Sequence, residues 1–143
     1  MSIKVVIDTN ILVAGLIGGK GPSREILRLC FKGDLKPAIG NALYLEYQDL
    51  LHRKTIQALC RQTTVSLEEF LDDFARICTP VDTWFLWRPN LPDEADNHII
   101  ELAIAANVDY IVTNNLKDFV QPELPHIGYE VISPPQLLRR TKS

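Results

Sequence analysis

Oxygen-bearing side chains stand at the points where two apolar segments of this sequence end. Asp8 directly follows the β-branched run Ile3–Ile7, and Asn10 comes two residues later. Thr113 and Asn115 end a second run of the same kind near the other end of the chain. Carboxylate, amide and hydroxyl oxygens suit Mg²⁺ or Mn²⁺ better than zinc. These positions therefore indicate chemistry that depends on a bound divalent cation.

Four further carboxylates lie near predicted helix starts and strand ends: Glu46, Asp93, Asp96 and Asp118. Glu46 has apolar neighbours, which make a costly place for an unpaired carboxylate, although a solvated helix surface would also explain it. Asp93 and Asp96 are three residues apart at the start of a helix, so their side chains share one face. For these two residues and for Asp8, the simpler interpretation is that an acidic residue stabilises the start of a helix.

Taken together, these residues predict a cluster of negative charge at one edge of a sheet. Two carboxylates roughly 4 Å apart repel each other by about 4 kcal/mol at an effective dielectric near 20. A divalent cation relieves this repulsion. In phosphodiester hydrolysis such a cation also activates a water molecule and neutralises charge on the phosphate. The sequence therefore predicts a metal-dependent site for phosphodiester chemistry.

The elements that position these residues follow from apolar periodicity and turn residues. The predicted strands are 3–7, 35–39, 79–85 (at an edge, because of Pro80), 110–113 and 129–132. The predicted helices are 22–33, 41–53 (capped by Asn41), 55–62, 66–77 (opened by a capping box of Ser66 and Glu69), 93–106 and a short one from Pro134, and the glycine-rich segment 15–21 is predicted as a loop. Strands that alternate with helices indicate a parallel sheet with helices on both faces, and ligands bind such sheets beyond the carboxyl ends of the strands.

The composition is typical of one globular domain over 1–143, since 46% of the residues are hydrophobic and 23% are charged. No apolar run approaches the length of about 18 residues that spans a membrane. The N-terminus lacks the pattern of a signal peptide, so we expect a cytoplasmic protein with no membrane partner. Three widely spaced cysteines predict buried thiols rather than disulfides or a zinc site: Cys30, Cys60 and Cys78.

The net charge of −3 is unusual for a protein that acts on nucleic acid, because phosphate binding commonly leaves a basic surface. A compact acidic site can still act on RNA when metal ions neutralise it. Three cations are candidate phosphate contacts: Lys20, Arg24 and Lys117. The three histidines lack metal-ligand spacing and are interpreted as surface or packing residues: His52, His98 and His126.

Four blocks of sequence, in this order, make the chain resemble the PIN-domain family of nucleases over nearly its whole length. The blocks are 3–10, which ends in Asp-Thr-Asn, then Glu46, 96–103 and 110–119. The resemblance implies an α/β fold, a three-layer α/β/α sandwich with a central, mainly parallel sheet. It also implies a Mg²⁺- or Mn²⁺-dependent endoribonuclease. Many small members are toxins of bacterial toxin–antitoxin pairs, similar to the VapC type, so the expected partners are RNA, a small antitoxin protein and a second copy of the chain.

By position, the resemblance assigns Asp8, Glu46 and Asp96 to the metal and to catalysis. Asn115 joins the catalytic set at a fourth position, where many members have Asp, and Thr113 matches a hydroxyl beside it. An amide oxygen can still bind a metal or hold a water molecule, but it brings less charge. The number of bound metals therefore stays open. Three further residues are expected to support the site: Asn10, Asp93 and Asp118.

Two other functions fit parts of the sequence. If Asn115 marks a decayed acidic site, the protein is a non-catalytic RNA-binding or regulatory scaffold with a PIN-like fold. If Asp8 is a covalent nucleophile, the protein is a phosphatase, although that chemistry usually has a second acid two residues on, where Asn10 stands. The aromatic run 84–87 is interpreted as packing, or as an interface with an antitoxin or a second subunit if it is exposed.

Overall fold

The computed structural model of the chain describes residues 2–18, 20–82, 97–119 and 128–141, without the side chains of Asn97 and Asp118. Within these ranges the strands are β1 (Ile3–Ile7), β2 (Leu35–Ile39), β3 (Thr79–Pro80), β4 (Tyr110–Val112) and β5 (Glu130–Ile132). The α-helices of the same ranges are α1 (Thr9–Ile17), α2 (Pro22–Lys32), α3 (Asn41–Leu51), α4 (Lys54–Cys60), α5 (Thr64–Ile77), α6 (Asn97–Ala106) and α7 (Pro134–Thr141). A short 3₁₀ helix covers Leu116–Phe119.

The five strands form one parallel sheet in the order β3-β2-β1-β4-β5. Helices flank this sheet, which confirms the predicted α/β/α sandwich, and β3 lies at an edge as Pro80 indicates. β1 is central, and Ile7 pairs with Val112 of β4. Asp8 and Thr113, the residues that follow these two strands, therefore emerge side by side at the carboxyl edge. The chain also changes its direction of travel across the sheet here, where ligands bind in such folds.

The core is built on β1, in which Val5, Val6 and Ile7 are fully buried, as a continuous β-branched run predicts. On one side of the sheet lies a group of rings that we call the aromatic cluster, with neighbouring ring centroids 5.8 to 6.1 Å apart: Phe31, Tyr47, Phe70 and Phe74. The three cysteines are buried and form no disulfide, as predicted. None of the helices in the described part of the chain has the length and apolar character needed to cross a bilayer.

The segment after Asp8 differs from the prediction. The loop predicted for 15–21 is wrong at its start, because α1 continues to Ile17. Gly15 lies inside this helix, and a Cβ atom there would come within 2.5 Å of Leu27 Cδ1. The missing side chain lets α1 and α2 pack closely. Closely spaced glycines predict a turn when only the local sequence is considered. The contact with Leu27, which explains Gly15, is not visible in that local sequence.

Two helix starts also differ from the prediction. Gly40 occupies the cap position of α3, so Asn41 is the first helical residue and not the cap. The hydroxyl of Thr63 caps α5 by accepting the N–H of Ser66 at 3.1 Å. Ser66 therefore lies inside the first turn and does not open the predicted capping box. Three predicted segments fall partly or wholly outside the described residues: 79–85, 84–87 and 93–106.

Candidate active site at the carboxyl edge of the sheet

Asp8 stands where β1 ends and α1 begins. Its backbone is extended, with φ −64° and ψ 150°, and its Oδ1 accepts the N–H of Thr9 at 2.7 Å. The helix-capping interpretation is thus confirmed. The residue is also only 5% exposed. A cap at a protein surface needs no such burial, so the surroundings of Asp8 indicate a second role.

Four side chains meet at this edge and are called the Asp8 network: Asp8, Thr9, Asn10 and Thr113. The hydroxyl of Thr113, a fully buried residue, donates to Asp8 Oδ2 at 2.6 Å. Asn10 donates its amide to the same oxygen at 3.1 Å, and its own Oδ1 accepts the N–H of Asn114 at 3.2 Å. Thr113 Oγ1 accepts the N–H of Asn115 at 3.0 Å. These bonds fix the carboxylate relative to both β1 and β4.

Burial raises the pKa of Asp8 above its ordinary value of 3.8. Hydrogen bonds from Thr113 and from the Thr9 backbone oppose this rise, because they favour the charged carboxylate. Repulsion from Glu46 adds to it. Since burial is the largest of these effects, ionised Asp8 is less stable here than in water. A cation bound nearby would offset both the burial and the repulsion.

Glu46 comes from α3 and partly faces solvent, with 32% of its side chain exposed. Its Oε2 lies 2.6 Å from Nε2 of His98, in the first turn of α6. His98 is mostly buried, as the packing interpretation expects, and its ring also bonds to a predicted site residue. Metal-ligand spacing does not reveal a histidine that holds a carboxylate. The sequence feature that could have indicated this role is that His98 comes two residues after Asp96, a predicted metal ligand.

The remaining acidic and amide residues of the predicted site are placed only in part. Asn115 joins the Asp8 network through its backbone N–H, and its side chain is exposed. Outside the described residues lie Asp93, Asp96, His126 and the side chain of Asp118. The structure therefore places Asn10 and Thr113 beside Asp8, and it places Glu46 close enough to raise the pKa of Asp8 by repulsion. The roles of these residues stay predictions.

The candidate phosphate contacts do not form a single site. Lys20 and Arg24 line a groove of about 420 Å³ at the start of α2, together with Arg28. Lys117 is exposed after β4. His52 is exposed at the end of α3, as predicted, and bonds to Glu68. In the described part of the chain, Lys20 and Arg24 are therefore the only two of these three candidates that lie together.

The donor atoms at this edge fit a hard divalent cation. Asp8 and Glu46 supply carboxylates that repel each other, and Asn10 and Thr113 add amide and hydroxyl oxygens to the same neighbourhood. Within the described ranges, no three acidic, histidine or cysteine side chains come close enough together to hold a metal. A complete ligand set therefore needs a further carboxylate, and Asp96 directly precedes the first described residue of α6.

Comparisons with known proteins identify the family to which this fold belongs. A family model of the PIN domain matches residues 4–117. The fold is similar to a chain of the crystal structure of VapBC2 from Rickettsia felis bound to a DNA fragment from their promoter. The TM-score is 0.60 and the identity 21%, over 92% of this chain and 98% of that chain. A search among curated proteins found no match. On the family match, the chain belongs to the PIN domain family, whose members are nucleases.

Proposed function

We propose that this protein is a Mg²⁺- or Mn²⁺-dependent endoribonuclease that hydrolyses phosphodiester bonds beside the Asp8 network. The observation that carries the proposal is the buried Asp8 carboxylate, which Thr113 and Asn10 fix close to the charge of Glu46. Crowded negative charges destabilise the metal-free protein, so the arrangement favours a bound cation. Membership of a nuclease family supports hydrolysis as the reaction.

Asp8, Glu46 and Asp96 are the proposed ligands, and the cation they hold would supply an activated water and neutralise charge on the phosphate. The chain's own residues set the geometry of this site. Thr113 and Asn10 keep the Asp8 carboxylate in one orientation through its Oδ2. Because the same carboxylate caps α1, the carboxylate and the start of the helix are held together.

Asn115 is proposed to complete the site with its exposed side-chain amide, which can hold a water molecule or bind the metal. Its backbone bond to Thr113 also keeps that hydroxyl pointed at Asp8. Asp93 and Asp118 are the proposed sources of the charge that an amide does not bring. One or two bound ions are both compatible with this set of residues.

RNA is the proposed substrate and a small antitoxin protein the proposed partner. The net charge of −3 favours a site that metal neutralises over an extended basic surface for duplex DNA. Likeness in fold to VapBC2, together with the resemblance to VapC-type toxins, supports a toxin held inactive by its antitoxin. The homodimer and the cytoplasmic location rest on the resemblance and on the composition.

A phosphatase that uses Asp8 as its nucleophile is less well supported. Asn10 stands at the position where that chemistry usually has a second acid, and its amide donates to Asp8 Oδ2. The alternative of a non-catalytic scaffold is decided by the experiment below.

The test is cleavage of a panel of structured and single-stranded RNAs in Mn²⁺, Mg²⁺ or EDTA by wild type, Asp8→Asn and Asp49→Asn. Asp49 is the matched control because it is exposed on α3 and pairs only with Arg53 among the described residues. Loss of outer partners of a metal site typically costs about 10- to 100-fold in activity, so we expect Asp8→Asn to lose about 100-fold or more. Asp49→Asn should cut like wild type.

Metal-dependent cutting that disappears only in Asp8→Asn supports the proposal. Equal cutting by wild type and Asp8→Asn would place the activity elsewhere. If wild type is folded, cuts no RNA in any condition and gains no thermal stability from Mn²⁺, the protein is a scaffold and not a nuclease.

A further inference from the structure

A hydrogen bond joins α3, which carries Glu46, to α6, which follows Asp96 in the chain. His98 Nε2 lies 2.6 Å from Glu46 Oε2, and the two residues are 52 positions apart in the chain. Both side chains are more than half buried, with 19% of His98 and 32% of Glu46 exposed. Glu46 belongs to α3, and His98 lies in the first turn of α6, directly after the sequence position of Asp96 and Asn97. The bond therefore connects α3 to the start of α6.

Neither ring nitrogen of His98 is in a position to bind a metal or move a proton to solvent. Nε2 is taken by Glu46. Nδ1 is buried and has no hydrogen-bond partner among the residues that the structure describes. The bond to an ionised Glu46 requires only that Nε2 carries a proton, which is true of the neutral ring in one tautomer and of the charged ring. The contact is thus suited to holding the carboxylate, not to taking part in bond breaking.

A second histidine–glutamate pair has nearly the same N–O distance and serves as a comparison for the pair of His98 and Glu46. His52 Nε2 lies 2.7 Å from Glu68 Oε1, but its side chains are 43% and 51% exposed. Glu68 is not among the groups that shift the pKa of Asp8, whereas repulsion from Glu46 helps to raise that pKa. The bond of His52 therefore lies at the protein surface, whereas the bond of His98 holds a carboxylate that repels Asp8.

We propose that His98 is a positioning residue of the metal site, which fixes the Glu46 carboxylate through Oε2 and leaves Oε1 as the oxygen for the cation. Oε1 has no hydrogen-bond partner among the described residues, in agreement with this role. Because a carboxylate on a flexible side chain otherwise samples several rotamers, a partner that holds one oxygen strengthens metal binding through the other. This inference rests on the proposed function, since it needs a metal at this edge.

The test measures Mn²⁺ affinity of the full chain by electron paramagnetic resonance of the free ion, with the Mn²⁺-induced rise in melting temperature as a second readout. The variants are His98→Gln, whose amide nitrogen can reach the place of Nε2, and His98→Asn, whose shorter side chain cannot. We expect His98→Asn to weaken Mn²⁺ binding by about tenfold or more and His98→Gln to restore it to within about threefold of wild type. His52→Asn is the matched control and should leave the affinity unchanged.

A double-mutant cycle with Glu46→Gln separates positioning from general loss of structure. If His98 acts through Glu46, adding His98→Asn to Glu46→Gln produces no further loss of affinity. Additive losses, or equal affinities of wild type and His98→Asn, would overturn the positioning role while the metal site stands. If wild type itself binds no Mn²⁺, the metal site and the positioning role fail together.

Discussion

The Asp8 network and the aromatic cluster are neighbouring regions of opposite character, one polar and one apolar, and Tyr47 of the aromatic cluster connects them. Its hydroxyl donates to the carbonyl of Ile7 at 2.5 Å, one residue before Asp8. Its ring meets Phe74 edge-on, with centroids 6.0 Å apart. Burial raises the pKa of Tyr47 well above 10.0, so the hydroxyl remains a neutral donor. One side chain therefore anchors the polar edge of the sheet to its apolar support.

The difference between the two regions separates stability from function. Phe74 is fully buried among rings, and its burial stabilises the fold without any bound partner. Asp8 is buried next to another negative charge, which destabilises the metal-free protein. We infer that packing in the aromatic cluster stabilises the fold enough to offset the destabilising buried charge of Asp8 until a cation binds. Substitutions in the two regions should therefore change stability in opposite directions.

The largest effect is expected at Phe74 in the aromatic cluster. Phe74→Ala removes a fully buried ring and leaves a cavity, which should lower the free energy of unfolding by about 3–5 kcal/mol. Phe31→Ala is the control from the same cluster, and it should cost clearly less because Phe31 is 42% exposed. Urea denaturation measures both values. Equal losses from the two variants would contradict the view that burial in this cluster stabilises the fold.

A smaller loss is expected at Tyr47, where the two regions join. Tyr47→Phe keeps the ring contact with Phe74 and removes only the hydrogen bond to Ile7, so we expect a loss of roughly 1–3 kcal/mol. Mn²⁺ affinity should fall as well, because the tie between α3 and the end of β1 is lost. Tyr44→Phe, on the same helix but partly exposed, should change neither quantity. An unchanged Mn²⁺ affinity in Tyr47→Phe would show that the two regions are mechanically independent.

The smallest effect has the opposite sign and belongs to the Asp8 network. Asp8→Asn keeps an oxygen for the Thr9 cap and removes a buried charge, so in EDTA at neutral pH it should raise stability on the order of 1 kcal/mol. The pKa of Asp8 is raised on folding, so ionised Asp8 destabilises the fold above that pKa, and the cost disappears below the ordinary value of 3.8. The advantage of Asp8→Asn should therefore shrink as the pH falls towards 4.

Thermal melts of both proteins across this pH range, with and without Mn²⁺, provide the measurement. Saturating Mn²⁺ should reverse the order, because only wild type retains the full charge for the cation. A wild type that is more stable than Asp8→Asn in EDTA at neutral pH would show that the hydrogen bonds from Thr113 and Thr9 outweigh burial.

Much of the fold was predictable because its three central strands, β2, β1 and β4, are largely buried. β1 and β4 are short runs rich in β-branched residues, and the sequence placed both of them, and β2, to within one residue at each end. Helix starts were less predictable. At Thr63 and Ser66, two hydroxyl residues three positions apart both fit the capping pattern, and only the backbone geometry shows that Thr63 is the cap.

The sequence predicts that polar residues follow β1 and β4, because a buried strand ends where its apolar run ends. From this and from the parallel alternation of elements, the proximity of Asp8 and Thr113 followed. The contacts between helices depend instead on the tertiary structure. Gly15 beside Leu27 and His98 beside Glu46 depend on how whole helices pack, and that packing leaves no regular spacing in the sequence around either residue.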